Sequence, residues 1–484
     1  MVSKANDDNG YGEILNPGKK ERIQEPVDRI SSLHDTIIHH ILSFVPTTEA
    51  ARTCLLAKRW RNVWTETPFL DFDDREFAGR EHAFANFVDS VHASHKATNI
   101  QRYRLSVQHP NGATLVKWVR FAVLKNAKEL HISCSGGGLA FEMPCYESLR
   151  DLRLHLEQGV LEMPTNGRFS SLEALSLSSV DFGDTIFCVT SPQFPRIRSL
   201  KLKDCVQMNL LTVNCPLLEE MEIKRCYGLD WLIVHAERLH SLSVHDSFPY
   251  GSTSVEILAP RLQTFKWLDY IVGNFNIGNF TSLRDAQISL VMDSGLEDTE
   301  LYVKNAKNFL NHLSCAESLE VEMASFWGLS IQKKLLEGLS TTHNLKHLTI
   351  LVGQDDYVFP GISHLFKSCP NLNTLSIQIY DEKIRGLHLG HPEASALDEG
   401  KDWKYQHQPL DQLLEANMCG FKGRGHEIKF VEFLLKNAVV LKRMTIFFPT
   451  ETSRTTLGRS KKDQIIRRVM ELEKTSPKVI VTFH

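Results

Sequence analysis

The chain has 484 residues, of which 42% are hydrophobic and 23% are charged, the balance of a globular protein. This length exceeds what one compact core usually holds, so several domains or a repeat array are expected. The 55 basic and 58 acidic residues give a formal net charge of −3. That charge argues against a protein that binds nucleic acid through a strongly basic face.

The sequence gives no sign of a membrane or a secretory route. No stretch approaches the roughly 20 apolar residues that a membrane-spanning helix needs. Residues 1–25 are polar and rich in Gly, Asn, Asp and Lys, so a disordered arm without a secretory signal is predicted there. The ten cysteines are then expected to be reduced thiols, in the cytoplasm, the nucleus or both.

Residues 28–64 contain two apolar-striped helical patterns separated by Pro46. The second pattern begins near Thr47–Thr48, with Glu49 close behind as an N-terminal capping signal, and continues to Trp64. A helical pair this short cannot bury so much apolar surface alone. It is therefore expected to pack on the rest of the chain or on a partner, with Trp60 and Trp64 in the contact.

This stretch resembles the plant F-box. The matching segments are Asp28–Ser31, Leu33, Asp35, Ile37–Ile38, Ile41–Pro46 and Lys58–Trp64. His34 stands where the family has proline, whose fixed φ favours a helix start by roughly 0.4–1 kcal/mol. The resemblance implies that a Skp-family adaptor, and through it a cullin, is bound by apolar residues of the motif. These are Leu33, Ile37, Ile41, Leu42, Leu55, Leu56 and Trp60.

A repeat follows a short lead-in of helical segments (83–91 and 115–124) and alternating segments (103–107 and 130–132). Its unit reads Leu-x-x-Leu-x-Leu or a variant, and in the first half the units lie roughly 21–25 residues apart, within the leucine-rich-repeat range. Later units are farther apart, with helical inserts at 302–313 and 331–339. The copies begin at Leu149, Leu172, Ile197, Leu218, Leu239, Leu345 and Leu372, with degraded copies at Leu262 and Leu283.

Each unit buries its leucines on one side only, so neighbouring units must stack. The strands are expected to form a parallel sheet, and the intervening segments are expected to cover its other side. Plant F-box proteins commonly carry irregular arrays of this kind, and a surface so broad favours a protein-sized ligand. The candidate substrate-binding residues are Arg153, Ser176, Lys201, Glu222 and Ser243, all at exposed strand positions.

The C-terminal part resembles the FBD region that often closes plant F-box proteins. The resemblance rests on Gly-Phe-x-Gly at 420–423, Leu-x-x-Asn-Ala at 434–438 and Leu-x-x-Met-x-Ile at 441–446. The strand expected before Gly420 is unclear, because residues 413–418 alternate poorly. A last helix (465–472) and strand (479–481) are expected to cap the open end of the array.

No catalytic or metal-binding constellation is evident. Cys205, Cys215 and Cys226 are too far apart in sequence for a zinc site and are predicted to be structural core. The adjacent His39–His40 face different sides of a helix. Gly136–Gly138 is not followed by Lys-Ser/Thr and is predicted to be a turn, not a phosphate loop.

These observations predict an α/β chain: an N-terminal helical F-box followed by an irregular leucine-rich-repeat solenoid with a C-terminal FBD-type cap. The predicted divisions are a disordered arm (1–25), the F-box (26–72), the solenoid with its helix/strand lead-in (73–385), a loop (386–408) and the FBD-like region (409–484). The resemblance implies a non-catalytic substrate-recognition subunit of a Skp–cullin–F-box (SCF) E3 ubiquitin ligase. The alternative is a non-ligase repeat scaffold with a vestigial F-box, favoured only by His34. No nucleic acid, membrane, metal or cofactor is expected as a partner.

Overall fold

The computed structural model describes most of the predicted F-box and repeat region. The described residues are 30, 32–77, 80–164, 167–183, 186–248, 253–271, 273–290, 299–323, 335, 339–353, 359, 362, 365–380, 410–449 and 457–484. The predicted arm, the predicted loop 386–408 and most of the predicted insert 331–339 lie outside them. Among the helices of the described part, none has the length and apolar character needed to cross a bilayer.

Eight α-helices are described, several of them short. They are α1 (Asp35–Leu42), α2 (Thr47–Arg52), α3 (Trp60–Val63), α4 (Glu81–Ser94), α5 (Gly112–Leu124), α6 (Thr299–His312), α7 (Gly425–Asn437) and α8 (Arg459–Met470). Single 3₁₀ turns occupy Thr53–Leu55, Trp64–Glu66, Asp74–Phe77 and Phe366–Ser368. The helical lead-in segments predicted at 83–91 and 115–124 and the helical insert predicted at 302–313 are confirmed as α4, α5 and α6.

The prediction of one continuous helix from Thr47 to Trp64 is wrong, because α2, a 3₁₀ turn, α3 and a second 3₁₀ turn follow one another there. Ala50 and Trp60 both pack in the same small cluster with Ile38. In a continuous helix, residues ten apart would be separated by about 15 Å. The break therefore brings two parts of the segment onto one core.

Twenty-two β-strands are described, and sixteen of them form one parallel sheet in chain order, the long sheet. These strands are β1 (Phe69–Asp73), β2 (Arg102–Val107), β3 (Glu129–Cys134), β5 (Asp151–Glu162), β6 (Ala174–Asp181), β8 (Ser199–Lys203), β10 (Glu220–Lys224), β12 (Ser241–His245), β14 (Thr264–Leu268), β16 (Asp285–Leu290), β17 (Ser318–Met323), β18 (His347–Val352), β19 (Thr374–Ile379), β20 (Glu415–Cys419), β21 (Arg443–Phe447) and β22 (Ile480–Phe483). A short strand, β4 (Ala140–Glu142), pairs with the far end of β5.

The repeat produces a constant register in the long sheet. Each strand supplies two inward side chains, as Leu175 and Leu177 do in β6, and the pairing sets like positions side by side. The predicted FBD-like region continues the same register, since β20, β21 and β22 pair in parallel beyond β19. The strand that was unclear before Gly420 is β20, where Ala416 and Met418 are the inward residues.

A second parallel sheet covers the middle repeats. Its five strands are β7 (Ile186–Thr190), β9 (Leu210–Asn214), β11 (Trp231–His235), β13 (Ser254–Leu258) and β15 (Asn274–Ile277). Helices occupy the corresponding place in the chain between β1 and β3, between β16 and β17, and between β20 and β22. Both kinds of segment share one continuous core with the long sheet, so each repeat is closed by its neighbours.

The F-box segment is bonded directly to the first edge of the long sheet. The Thr47 hydroxyl oxygen accepts a hydrogen bond from the Asp71 amide of β1 at 2.7 Å, and the Lys96 amide donates to the Thr65 carbonyl at 2.8 Å. The half-buried Trp64 packs against both the F-box cluster and the main core. Strand β1, which the predicted divisions place in the F-box segment, is thus the first strand of the sheet.

A half-buried histidine, His92, joins the first two repeats. The imidazole of His92 on α4 stacks on Phe121 of α5, with ring centroids 3.8 Å apart. Its Nε2 lies 3.1 Å from the hydroxyl oxygen of Tyr103, which is fully buried. Burial lowers the pKa of His92 to about 3. The imidazole is therefore neutral in the folded chain at neutral and mildly acidic pH.

We expect acid to destabilise this junction through His92. Between pH 6.5 and about 3, His92 is protonated in the unfolded chain but neutral in the folded chain. The free energy of unfolding therefore falls as pH falls. The loss is at most about 1.4 kcal/mol per pH unit. His92→Gln should flatten this slope while keeping an acceptor near Tyr103, as measured by urea unfolding across pH. His82→Gln removes an exposed imidazole of the same helix, and an equal flattening there would contradict the assignment to His92.

Candidate functional site

The F-box has a closed core of its own. Its buried members are Ile38, Leu42, Ala50, Trp60 and Val63, with Leu33, Ala57 and Trp64 packed around them. Burying these side chains closes α1 against α2 and α3, and each large apolar side chain contributes roughly 1.5–3 kcal/mol when fully buried. Among the described residues, this cluster contains only side chains of the F-box segment, and Trp64 connects it to the main core.

Polar contacts fix the ends of α1 against α3. The Arg59 guanidinium donates to the Leu33 carbonyl at 2.7 Å and forms an ion pair with Asp35. The hydrogen bond from Arg59 lowers the pKa of Asp35. At the other end, the His39 Nε2 lies 3.0 Å from the Val63 carbonyl oxygen. These contacts set the orientation of α1, and with it the side chains that α1 presents to solvent.

Large apolar side chains of the F-box remain exposed. From α1 onwards, this exposed apolar set comprises Ile37, Ile41, Phe44, Val45, Leu55 and Leu56. Leu55 and Phe44 are 84% and 76% exposed, respectively. This many exposed apolar residues on so small a segment indicate contact with a partner, because monomeric proteins rarely expose a contiguous apolar surface of this kind.

The structure separates the seven predicted adaptor-binding residues into three groups. Ile37, Ile41, Leu55 and Leu56 belong to the exposed apolar set, and Leu33 is half-buried. Leu42 and Trp60 fill the F-box core of the free chain, where each is only 4% exposed, so their assignment to the adaptor-binding residues stays a prediction. Sequence reasoning missed Phe44 and Val45, whose signal was their place in the matching segment Ile41–Pro46, after the last residue of α1.

His34 occupies the N-cap of α1. Its backbone has φ −65° and ψ 145°, and its Nδ1 accepts a hydrogen bond from the Thr36 amide at 3.4 Å. The φ value is the one that proline would impose. The backbone therefore accommodates histidine at the position where the family has proline. The imidazole supplies a capping acceptor in place of the proline ring.

We expect His34→Pro to be nearly neutral. The substitution removes the capping acceptor but restricts the unfolded chain, and each effect is worth about 0.5–1 kcal/mol with opposite sign. His34→Gly loses both advantages and should be the less stable variant. Differential scanning calorimetry of the two variants measures this order, and a large loss for His34→Pro alone would show that the backbone here is not suited to proline.

The five candidate substrate-binding residues lie side by side. We call the strand side chains that point away from the core the open face of the long sheet. In its middle row, neighbours in register run from Arg153 through Ser176, Lys201 and Glu222 to Ser243. Adjacent strands are about 4.8 Å apart, so this row crosses five strands in roughly 19 Å. The same row continues to Lys266 on β14.

Charges at the beginning of the open face compensate one another. Arg104 lies 3.6 Å from Asp71, and Arg153 pairs with Asp151 at 2.7 Å. Burial alone would raise the pKa of Asp151, but nearby His131, whose Nε2 lies 3.6 Å from the carboxylate, and the hydrogen bonds from Arg153 lower it to about 2. Arg153 is thus already engaged by a carboxylate of its own strand.

The turns after the strands are structural. Cys205, Cys215 and Cys226 are buried, as predicted, and Gly136–Gly138 form a turn with positive φ at all three positions. Asp269 accepts hydrogen bonds from the Tyr270 amide at 2.8 Å and the Phe248 amide at 3.2 Å. Burial raises the pKa of Asp269 to about 6. In the described part of the chain, no group of three or more His, Cys, Asp or Glu residues is placed to hold a metal ion.

Comparisons with known proteins match both parts of the chain. The family model described as "At1g61320/AtMIF1, LRR domain" matches residues 91–481, and the F-box domain model matches residues 30–72. The putative F-box/FBD/LRR-repeat protein At4g03220 of Arabidopsis thaliana is 28% identical over 87% of this chain and 89% of its own length.

Two further Arabidopsis thaliana proteins extend this similarity. The putative F-box/LRR-repeat protein At3g18150 is 26% identical, with 88% of each chain covered. F-box/LRR-repeat protein 13 is 24% identical over 87% of this chain and 90% of its own length. The leucine-rich-repeat match spans most of the sequence and follows the long sheet through its FBD-like end. The chain belongs to the plant family of F-box/leucine-rich-repeat proteins.

Proposed function

We propose that the chain is the substrate-recognition subunit of an SCF E3 ubiquitin ligase. Its F-box binds a Skp-family adaptor, and through it a cullin, while the repeats hold a protein substrate. The observation that carries the proposal is the exposed apolar set on an F-box whose own core is already closed. Such side chains gain stability only by contact with another molecule.

In this function the chain carries out no bond chemistry. Proteins of the F-box/leucine-rich-repeat family are typically non-catalytic adaptors. The chain instead holds a substrate lysine near a ubiquitin carrier, which raises the effective concentration of that lysine. The direct bonding of the F-box to β1 supports this role, since it limits the relative motion of adaptor and substrate.

We place this activity in the cytoplasm, the nucleus or both. All ten cysteines lie within the described residues, and none of them forms a disulfide. Free thiols in this number are compatible with a reducing compartment.

Co-expression with a plant Skp-family adaptor, followed by size-exclusion chromatography, tests the proposal. We expect the two chains to elute together at one-to-one stoichiometry. A well-folded chain that elutes without the adaptor would favour the alternative, a repeat scaffold with a vestigial F-box. His34 was the feature that favoured this alternative. Its backbone and side chain fit the N-cap of α1, so histidine at this position is compatible with the F-box fold.

A further inference from the structure

Four lysines are concentrated on the open face of the long sheet. Lys201 and Lys203 are both on β8, Lys224 on β10 lies beside Lys203 in register, and Lys266 is on β14. We call these four residues the lysine group. Within the described residues, Lys201, Lys224 and Lys266 form no ion pair, and Lys203 only approaches Asp204, at 3.9 Å.

Few opposing charges face the lysine group. In the middle row and the row after it, from β6 to β14, Glu222 is the one carboxylate, and the other neighbours are Ser, His or Leu. Just past the strand ends, Asp204 is held by Arg225 and Asp246 lies 2.8 Å from His245. Glu220 lies in the row before, at the other end of β10. The two rows therefore carry a local excess of positive charge on a chain whose net charge is −3.

The lysine group is bounded on both sides. Towards β6, the neighbouring positions are Ser176 and Ser178, which carry no charge. Towards β17, the open face becomes acidic with Glu320 and Glu322. A partner with complementary charge would place its negative groups opposite β8 to β14, and not opposite β6 or β17.

We propose that the lysine group selects an acidic segment of the protein substrate, an extended stretch with several Asp or Glu side chains. This inference rests on the proposed function, because it names the class of substrate that the repeats hold. In an extended peptide, alternate side chains are about 7 Å apart, so three carboxylates reach from β8 to β14.

The spread of the lysine group favours several carboxylates over one phosphate. Lys201 and Lys266 are three strand spacings apart, about 14 Å, which exceeds the reach of a single phosphate. Bidentate binding of a single phosphate needs an arginine fork, because a lysine acts only as a point charge. The nearby arginine, Arg225, is engaged with both carboxylate oxygens of Asp204.

A fluorescence-anisotropy titration tests the proposal. The probe is a labelled peptide of alternating Glu and Gly, about ten residues long, which is longer than the roughly 14 Å span of the group. We expect the full chain, purified with or without its adaptor, to bind it and to release it as salt is raised. The triple variant Lys201→Glu/Lys203→Glu/Lys224→Glu should weaken binding at least about tenfold, whereas Glu222→Gln should strengthen it about threefold.

The control variant is Lys461→Glu/Arg468→Glu/Lys478→Glu, which changes the net charge equally at exposed positions outside the long sheet. Its affinity should stay within about twofold of the wild type, and an equal loss would overturn the proposal by showing a net-charge effect. Tighter binding of a Gly/Ser peptide with one phosphoserine, or of a single-stranded RNA, would also overturn it. If the triple variant misfolds, Lys266→Gln and Glu222→Gln decide the outcome.

Failure of this inference can be told apart from failure of the proposed function. Adaptor binding depends on the F-box, so the triple lysine variant should co-elute with the adaptor as the wild type does. Peptide binding without adaptor binding would refute the ligase proposal and leave the acidic partner standing. Adaptor binding without peptide binding would refute the acidic partner and leave the ligase proposal standing.

Discussion

Ile41→Asp is expected to abolish co-elution with a Skp-family adaptor while leaving the fold intact. Ile41 is 43% exposed, so the free chain can hydrate a carboxylate there. In the complex the same carboxylate would be buried without a partner, which costs several kcal/mol and should weaken binding at least about a hundredfold. Isothermal titration calorimetry with purified adaptor measures the loss.

The matched control for this experiment is Leu124→Asp. Leu124 is 80% exposed at the end of α5, outside the F-box, so it receives the same chemical change without touching the exposed apolar set. It should bind the adaptor with wild-type affinity. Tight binding by a folded Ile41→Asp chain would show that α1 does not present its exposed side to the adaptor.

Gly420→Ala is expected to cause the largest loss of stability in the C-terminal part. Gly420 follows β20 with φ +77°, and a Cβ built on it would lie 2.2 Å from the carbonyl oxygen of Ile379. Both residues are held by the backbone of the sheet, so relief requires movement of β19 or β20. We expect a loss of about 3 kcal/mol or more. Hydrogen exchange at β19 to β21, together with thermal unfolding, measures it.

Gly228→Ala separates the two causes of this strain. Gly228 also has positive φ, +93°, but among the described residues no atom beyond its chain neighbours comes within 4 Å of a Cβ built on it. Alanine there should cost only the conformational penalty of about 1–2 kcal/mol. Equal losses at the two glycines would mean that the left-handed backbone, and not the close approach to Ile379, determines the effect.

The sequence predicted the long sheet well because each repeat encodes the same two inward positions. Leu152 and Leu154 in β5 have the same spacing as Leu242 and Val244 in β12. The β20 strand was harder to identify because Ala416 replaces the usual large residue. The pattern of residues 413–418, Leu-x-x-Ala-x-Met, still follows the repeat, and stacking against β19 and β21 compensates for the smaller side chain.

The second parallel sheet was not predicted, although a signal existed. Phe187 and Val189, Leu211 and Val213, and Leu232 and Val234 alternate as buried pairs. One such pair does not by itself predict a strand, because strands of this length are stable only beside neighbouring strands. Each pair follows the preceding repeat strand at a similar distance along the sequence, and this regular spacing was the evidence for the second sheet.

The division of the F-box apolar residues could not be predicted from periodicity. Ile37 and Ile38 are adjacent, and Ile41 and Leu42 repeat the pair one turn later, so the apolar stripe is wider than one packing surface. Only the packing of α3 against α1 determines that Ile38 and Leu42 face inward. The open face was predicted more closely, since strand alternation alone assigns Lys201 and Glu222 to it.

The hydrogen bond from Asp71 to Thr47 has a consequence for the isolated repeats. A parallel sheet that begins at β1 without the F-box would present an unpaired edge, including the Asp71 amide, to other molecules. Such an edge is a template for strand pairing between chains, so a solenoid expressed from Phe69 onwards should aggregate. Recombinant work on the repeats will need the F-box helices retained, or an engineered N-terminal cap in their place.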